Sequence, residues 1–316
     1  MRSTLRRLLG HGRQLSTLAG LVVLCVLLWI LTPFFLTRSN LLNVMEQTAL
    51  NAIVAVGMTF VIVSGGIDLS VGSIVALSGV VLASALQANW PVSAAIAVGL
   101  LVGALTGLLN GLLITRGRLP PFIATLGLMS VARGAALVYT EGRPISGFGA
   151  GYRWLATGRV LDVPMPVILT ALVYAAAWFV LTRTRFGRYV YAIGGNPDAA
   201  ALAGINVRRT IMLTFALMGS LAAISAAVQT ARLNAAVTNL GVQNELDVIS
   251  AAVIGGTSFS GGIGTVPGAI LGAVVMQSLR SGMVLLLVDS PTQDIVVGIV
   301  LVVAVGLDAV FRRRVS

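Results

Sequence analysis

Long apolar stretches alternate with short breaks of glycine, proline and charge along this chain, and that rhythm limits its possible folds more than any single residue does. A transmembrane helix needs about 20 mainly apolar residues. Ten segments fit this pattern, near 17–36, 48–66, 70–88, 91–114, 121–140, 164–182, 210–231, 248–260, 266–287 and 293–311, the eighth being the shortest. Of 316 residues, 57% are hydrophobic and 10% charged. Soluble domains carry roughly 25% charged residues, so this chain has too little polar surface to be coated in water. The expectation is an all-α, polytopic integral membrane protein with a single transmembrane domain over residues 1–316.

Arginine placement orients the spans, because cytoplasmic loops collect positive charge. With the N-terminus inside, 14 of 21 arginines fall in the cytoplasmic pieces: the tail at 1–16, the loop after the fourth span, the loop at 183–209 and the tail at 312–316. Both termini are then cytoplasmic. The leading arginines and apolar run imitate a signal peptide, but Leu31-Thr32-Pro33-Phe34-Phe35 offers no small-residue cleavage site, and a retained first helix is expected.

The residues that are missing exclude several chemistries. All 21 basic residues are arginine, so the Lys of a phosphate-binding P-loop is absent, as is any Schiff-base lysine. If nucleotide hydrolysis drives this protein, a partner performs it. The single cysteine, Cys25, lies in an apolar run and the single histidine, His11, in the polar N-terminal segment, which leaves no metal cluster and no Ser/His/Asp or Cys/His catalytic set. No catalytic residue, cofactor or metal ligand is expected. The net charge of +11 is scattered between apolar runs rather than gathered on one face, so topology explains it better than nucleic acid does.

Two glycine-rich breaks stand out. The first, Val63-Ser64-Gly65-Gly66-Ile67-Asp68-Leu69-Ser70-Val71-Gly72-Ser73, must line a cavity or lie within protein if it sits at membrane depth, because lipid cannot satisfy loose backbone groups. Gly65, Gly66, Asp68 and Ser70 are therefore candidates for a pathway or gate. Asp68 reads equally as a helix cap and as a polar wall. The second break runs from Gly255-Gly256-Thr257-Ser258 to Gly264 and carries the other pathway candidates. Its likeness to the first hints at a duplication, although both then fall on the cytoplasmic side, unlike a simple inverted repeat. Gly99, Gly103, Gly107 and Gly111 recur every four residues and read as a helix-packing stripe, repeated at Gly264, Gly268 and Gly272.

In the loop at 183–209, Asn196 suits an N-cap, Pro197 the first helical position, Asp198 the first turn and Gly204 the C′ stop. This is a two-turn helix outside the membrane, including Ala200. Too short to be stable alone, it docks either on its own bundle or on a soluble partner. Between spans five and six, the loop at 141–163 carries Arg143, Arg153 and Arg159 with Tyr152 and Trp154, as an interfacial belt or a surface for an acidic extracytoplasmic protein. Glu245 and Asp247 complement a helix dipole at the eighth span or join that docking surface. Arg133 lies inside the fifth span and needs a partner, with Glu46, Asp68, Glu141, Glu245 and Asp247 available.

These motifs together resemble, over nearly the whole chain, the permease subunits of bacterial ATP-binding cassette importers for monosaccharides of the ribose, xylose, arabinose and galactose type. The resemblance is carried by Gly57-Met58-Thr59, Ser64 through Ser73, Phe122 through Leu126, Arg133-Gly134, Tyr139-Thr140, Thr184 through Tyr189, Gly194-Gly195-Asn196 with Ala203-Gly204-Ile205, and Glu245-Leu246-Asp247 leading to Gly255 through Ser258. Branched-chain amino acid permeases share the architecture, and the Ile67-to-Gly72 string looks like the sugar branch. The resemblance implies a bacterial inner-membrane location, two permease copies in lipid, and a periplasmic sugar-binding protein. It also implies a cytoplasmic ATPase subunit that uses ATP and magnesium and meets the Asn196–Gly204 helix. Glu46 departs from the neutral residue expected there. A nucleoside or amino acid importer, an ion-coupled carrier using Asp68 and a membrane enzyme are the competing readings, the last lacking any catalytic constellation.

Overall fold

The computed structural model describes the backbone of residues 2–313 and the side chains of 15–306 and 308. The reading made for His11 and the charges of the two expected tails thus lie outside the described side chains. Among the described residues the chain forms thirteen helices and four two-residue strands. Six helices are long and apolar enough to cross a membrane: α2 (Arg38–Val63), α4 (Val92–Thr115), α5 (Pro121–Thr140), α7 (Met165–Arg183), α10 (Val207–Leu233) and α12 (Val266–Leu285). Apolar stretches also occupy Leu15–Leu31 of α1 (Arg2–Leu31), the whole of α3 (Val71–Gln87) and Ser290–Gly306 of α13 (Ser290–Arg313). The molecule is an integral, multi-pass helical membrane protein.

Helix ends follow local chemistry. Thr37 caps α2 by accepting the Asn40 N–H, which starts that helix ten residues before the expected 48. Thr265 caps α12 ahead of Pro267, and Asn206 caps α10. Asp289 accepts from Thr292 Oγ1 at 2.7 Å before α13, a bond that holds its carboxyl below the usual range. The expected eighth span is corrected most. Its helix, α11 (Asn244–Ile254), has only 11 residues, because Gly255 and Gly256 stop it, the latter at φ +89°. Ahead of α11, residues 234–243 form β4 and then a run of turns.

The buried centre is α2, of which residues 52–63 are all buried. Against it α10 runs antiparallel: Ser225 Oγ donates to the Leu50 carbonyl at 2.9 Å, Arg232 reaches Asn43 at 3.5 Å, and Phe215 packs on Gly66 just beyond the other end of α2. The glycine stripe of α4 is packing, as expected: Gly103 meets Gly219, and Gly107 meets the Phe215 backbone, at separations that leave no room for a Cβ. Such backbone approach substitutes van der Waals contact for the hydrophobic drive that lipid does not supply.

Two sets of four helices share one arrangement. In α2–α5 a long helix leads through a break ending Asp68-Leu69-Ser70 into a short one that starts Val71-Gly72-Ser73; in α10–α13 the short helix carries Glu245-Leu246-Asp247-Val248-Ile249-Ser250 in its first turns. Asn110 of α4 bonds Ser70 at 2.7 Å where Arg280 of α12 bonds Asp247 at 2.8 Å. Since α2 and α10 run in opposite directions, the second set is inverted. The counterpart of the first break is therefore 234–243, not the glycine-rich segment at 255–264 that the sequence suggested.

One end of the bundle carries the loop at 141–164, folded as β1 (Ile145–Ser146), α6 (Ala150–Thr157), β2 (Arg159–Val160) and β3 (Val163–Pro164). Here β1 pairs with β4 (Ala235–Ala236), just after α10, and Tyr152 of α6 donates to the Ala227 carbonyl at 2.8 Å. At the opposite end lie α8 (Arg185–Gly195) and α9 (Pro197–Leu202). The second is the short helix that its capping residues predict, and Asn196 Oδ1 accepts the Ala199 N–H at 2.9 Å.

Candidate translocation pathway and coupling site

In the first break only Gly65 takes a positive φ, +86°; Gly66 is instead wedged beside Phe215 and Val61. Asp68 is fully buried and closes a local turn, its Oδ1 accepting the Ser70 N–H at 2.9 Å and the Ser70 hydroxyl at 2.6 Å. The helix cap itself is Ser70. Asn110 Nδ2 donates to the same hydroxyl at 2.7 Å, while Asp68 Oδ2 and Asn110 Oδ1 are buried without a partner. An interior polar cluster with unmet capacity is costly, and such groups within a membrane protein concentrate where polar cargo passes.

The first break meets the 234–243 segment inside the bundle. Gly72, at the start of α3, lies against the Gly241 carbonyl so closely that neither position admits a side chain. Beside this crossing Arg133 donates to the carbonyls of Thr238 and Leu240 at 2.5 and 2.8 Å and feels the charge of Glu245. Of its five possible acidic partners, Glu245 is thus the relevant one. The guanidinium satisfies two carbonyls of 234–243, a run of turns after β4 without continuous helical hydrogen bonding.

On the α6 side of the crossing is an open-mouthed cavity of about 520 Å³ between α2, α10, α11, α12 and α13. Its wall includes the Asp247–Arg280–Asp294 group, in which Arg280 Nη2 lies 2.8 Å from Asp247 and 3.5 Å from Asp294. The Gln243 amide, turned to suit its neighbours, donates to both Asp294 oxygens at 2.7 and 2.6 Å. Asp247 and Glu245, grouped from sequence with the docking arginines, thus belong to the interior. Arg143, Arg153 and Arg159 are exposed on the 141–164 elaboration, with Arg143 beside Glu141 at 3.7 Å.

At the other end the second break joins a backbone junction. Gly262 N–H donates to the Val63 carbonyl at 2.8 Å, and Gly194 of α8 packs against that same carbonyl and against Gly262. Tyr191 donates to the Gly264 carbonyl at 2.6 Å, and Ser258 Oγ to Asp308 at 2.8 Å. Gly255 meets the Gly268 carbonyl, and Thr257 Oγ1 is buried and unpartnered. The short helix α9 buries Ala200 beneath it and leaves Asp198 exposed, with Leu202 91% exposed at its end.

Sequence reasoning missed Asn110, Gln277, Arg280, Asp294 and Leu202. Asn110 was concealed by its glycine stripe and Leu202 by its apolar neighbours. The repeated acid-Leu-x-Val-x-Ser pattern could have revealed the paired cluster.

The family described as "Branched-chain amino acid transport system / permease component" matches residues 40–305. The chain is 46% identical over 301 residues to the ribose import permease protein RbsC of Bacillus subtilis, covering 95% of this chain and 94% of that one. It is 43% identical over 297 residues to the Escherichia coli K12 protein of the same name, covering 93% and 92%. The xylose transport system permease protein XylH of that organism is 35% identical, covering 94% and 91%. No solved structure matches the chain. Its buried breaks and external short helix are thus features of a transport permease, and the chain belongs to the permease-component family of these transport systems.

Proposed function

We propose that this chain is the transmembrane permease subunit of an ATP-driven importer that moves a monosaccharide, foremost a pentose such as ribose or xylose, across a bacterial inner membrane. The observation that carries the reading is the 46% identity to a ribose import permease over nearly the full length of both chains. The end bearing α8 and α9 faces the cytoplasm and meets a separate ATPase subunit, which supplies the ATP and magnesium chemistry that a chain without lysine lacks. Leu202, 91% exposed, is the apolar knob that partner covers. The opposite end receives a periplasmic sugar-binding protein on Arg143, Arg153 and Arg159, beside the exposed Leu161 of the β2–β3 turn. Two copies of the permease form the assembly in lipid.

Closure of the ATPase on α9 would reach both glycine-rich breaks through the Gly194–Val63–Gly262 junction, switching access from one side to the other. Gly65, Gly66, Asp68 and Ser70, with Gly255, Gly256, Thr257 and Ser258, are the inner pathway and gate. The family description favours a second reading, a branched-chain amino acid permease. Uptake of labelled ribose, xylose, arabinose, galactose, glucose and leucine, with and without this chain and with its ATPase and binding protein present, separates the two. Loss of pentose uptake alone is the expected result; loss of leucine uptake alone supports the second reading.

A further inference from the structure

At the end of the bundle that carries α8 and α9, two helix termini bring four arginines together. Helices α4 and α10 run antiparallel, Gly103 lying against Gly219 and Gly111 against the Met212 backbone, so the last turn of α4 and the first turn of α10 share one level. Arg116 and Arg118 follow α4, and Arg208 and Arg209 sit in the first turn of α10. All four are exposed, and none has a carboxylate within 4.0 Å among the described residues. The only acid in the loop at 183–209 is Asp198, on α9. Like charges repel, and the positive end of a helix macrodipole disfavours cations in its first turn. The charge balance therefore points to an anion from outside the chain.

The surface that leads up to this cluster is apolar. Leu101, Leu105 and Leu109 recur every four residues along α4, each about half exposed, on the side turned away from the glycines that touch α10. Arg116 comes seven residues after Leu109, two turns further along the same face. From Leu105 to Arg116 the helix rises about 16 Å, close to the depth of one leaflet in a hydrocarbon core about 30 Å thick. Phe122 and Ile123, exposed in the first turn of α5, extend the apolar surface near Arg118. An acidic protein surface would answer the arginines alone. A molecule with an anionic head and a long apolar tail answers both the arginines and the leucine ridge, and the planar guanidinium fork matches phosphate oxygens in pairs.

We infer that this corner binds an anionic phospholipid of the surrounding membrane. Its phosphate is held by Arg116, Arg118, Arg208 and Arg209, and an acyl chain lies along the ridge of Leu101, Leu105 and Leu109. The site is independent of what the permease carries and of the importer reading, since it needs only a chain that spans the bilayer.

The test is native mass spectrometry of the full-length chain, released from mixed micelles that hold equal amounts of palmitoyl-oleoyl phosphatidylglycerol and phosphatidylcholine. The wild type is expected to retain the glycerol lipid in preference to the choline lipid. Arg208→Gln/Arg209→Gln should cut that preference by about fivefold for each arginine removed, and Arg208→Lys/Arg209→Lys should recover part of it. Arg153→Gln/Arg159→Gln removes the same charge at the opposite end of the bundle and should leave the preference within about twofold of wild type. Added salt should weaken retention, whereas millimolar inorganic phosphate should not displace the lipid, having nothing to lay on the leucine ridge. Equal retention of both lipids by the wild type overturns the site, as does an equal loss in the Arg153/Arg159 pair. Displacement by inorganic phosphate overturns the lipid assignment in favour of a free anion. Loss of ATPase co-purification in Arg208→Gln/Arg209→Gln with lipid preference unchanged overturns it in favour of the partner subunit.

Discussion

The Val63 carbonyl accepts the backbone N–H of Gly262 at 2.8 Å, tying the last residue of the central helix to a break some two hundred positions later. Gly194 rests on the same carbonyl with no room for a Cβ, whereas its neighbour Gly195 has nothing within 4 Å of that position. Gly194→Ala should therefore lower binding-protein-stimulated ATP hydrolysis by about tenfold, the equivalent of 1.4 kcal/mol in the coupled step. Gly195→Ala should leave it unchanged. Parallel assays on the two reconstituted variants check this, and equal activity would remove the junction from the coupling route.

Leu202 contributes almost nothing to the fold of the isolated chain, being 91% exposed. Leu202→Asp should leave membrane insertion and melting in detergent as they are, since substitutions at such positions change stability by about 0.5 kcal/mol or less. Co-purification of the ATPase subunit should nevertheless be lost. Charge reversal at Asp198, or a Pro at Ala200, should abolish stimulated hydrolysis in the same way.

Arg133 bridges two carbonyls and faces Glu245. Arg133→Met leaves the Thr238 and Leu240 carbonyls without this donor, at about 1–3 kcal/mol for each unmet group. Glu245→Gln in the same chain should return part of that loss by removing the uncompensated carboxylate. A double-mutant cycle on thermal stability measures the coupling, and additive losses would show that the two residues act separately.

Asp68→Asn preserves the oxygen that closes the turn on Ser70, and sugar uptake should stay within about twofold of wild type. Asp68→Ala leaves the Ser70 N–H and hydroxyl short of an acceptor, at about 1–3 kcal/mol for each unmet group, and should lose most uptake. A proton-coupled carrier using Asp68 would respond differently, losing uptake with Asn as well, because no titratable group would remain at that position.

Much of this fold is legible in the sequence because lipid imposes a uniform demand: apolar length gives α4, α5, α7 and α10 to within three residues of their expected bounds. Capping chemistry gives α9, since Asn196, Pro197 and Asp198 each have local reasons to start a helix. The 234–254 segment is not readable by those rules. Its first half is a run of turns held by Arg133, about a hundred residues away, and its helical half is too short to register as a span. The duplication was misplaced for a related reason. Glycine density resembles between 64–73 and 255–264, whereas the structural counterpart at 234–250 shares only a sparse pattern of acid, leucine, valine and serine.

At the crossing of Gly72 and Gly241 two strands of main chain touch with nothing between them. A contact made only of backbone cannot distinguish one cargo from another. Whatever this chain carries, the choice among cargoes therefore falls to side chains elsewhere, and a Cβ at either glycine would force the two segments apart.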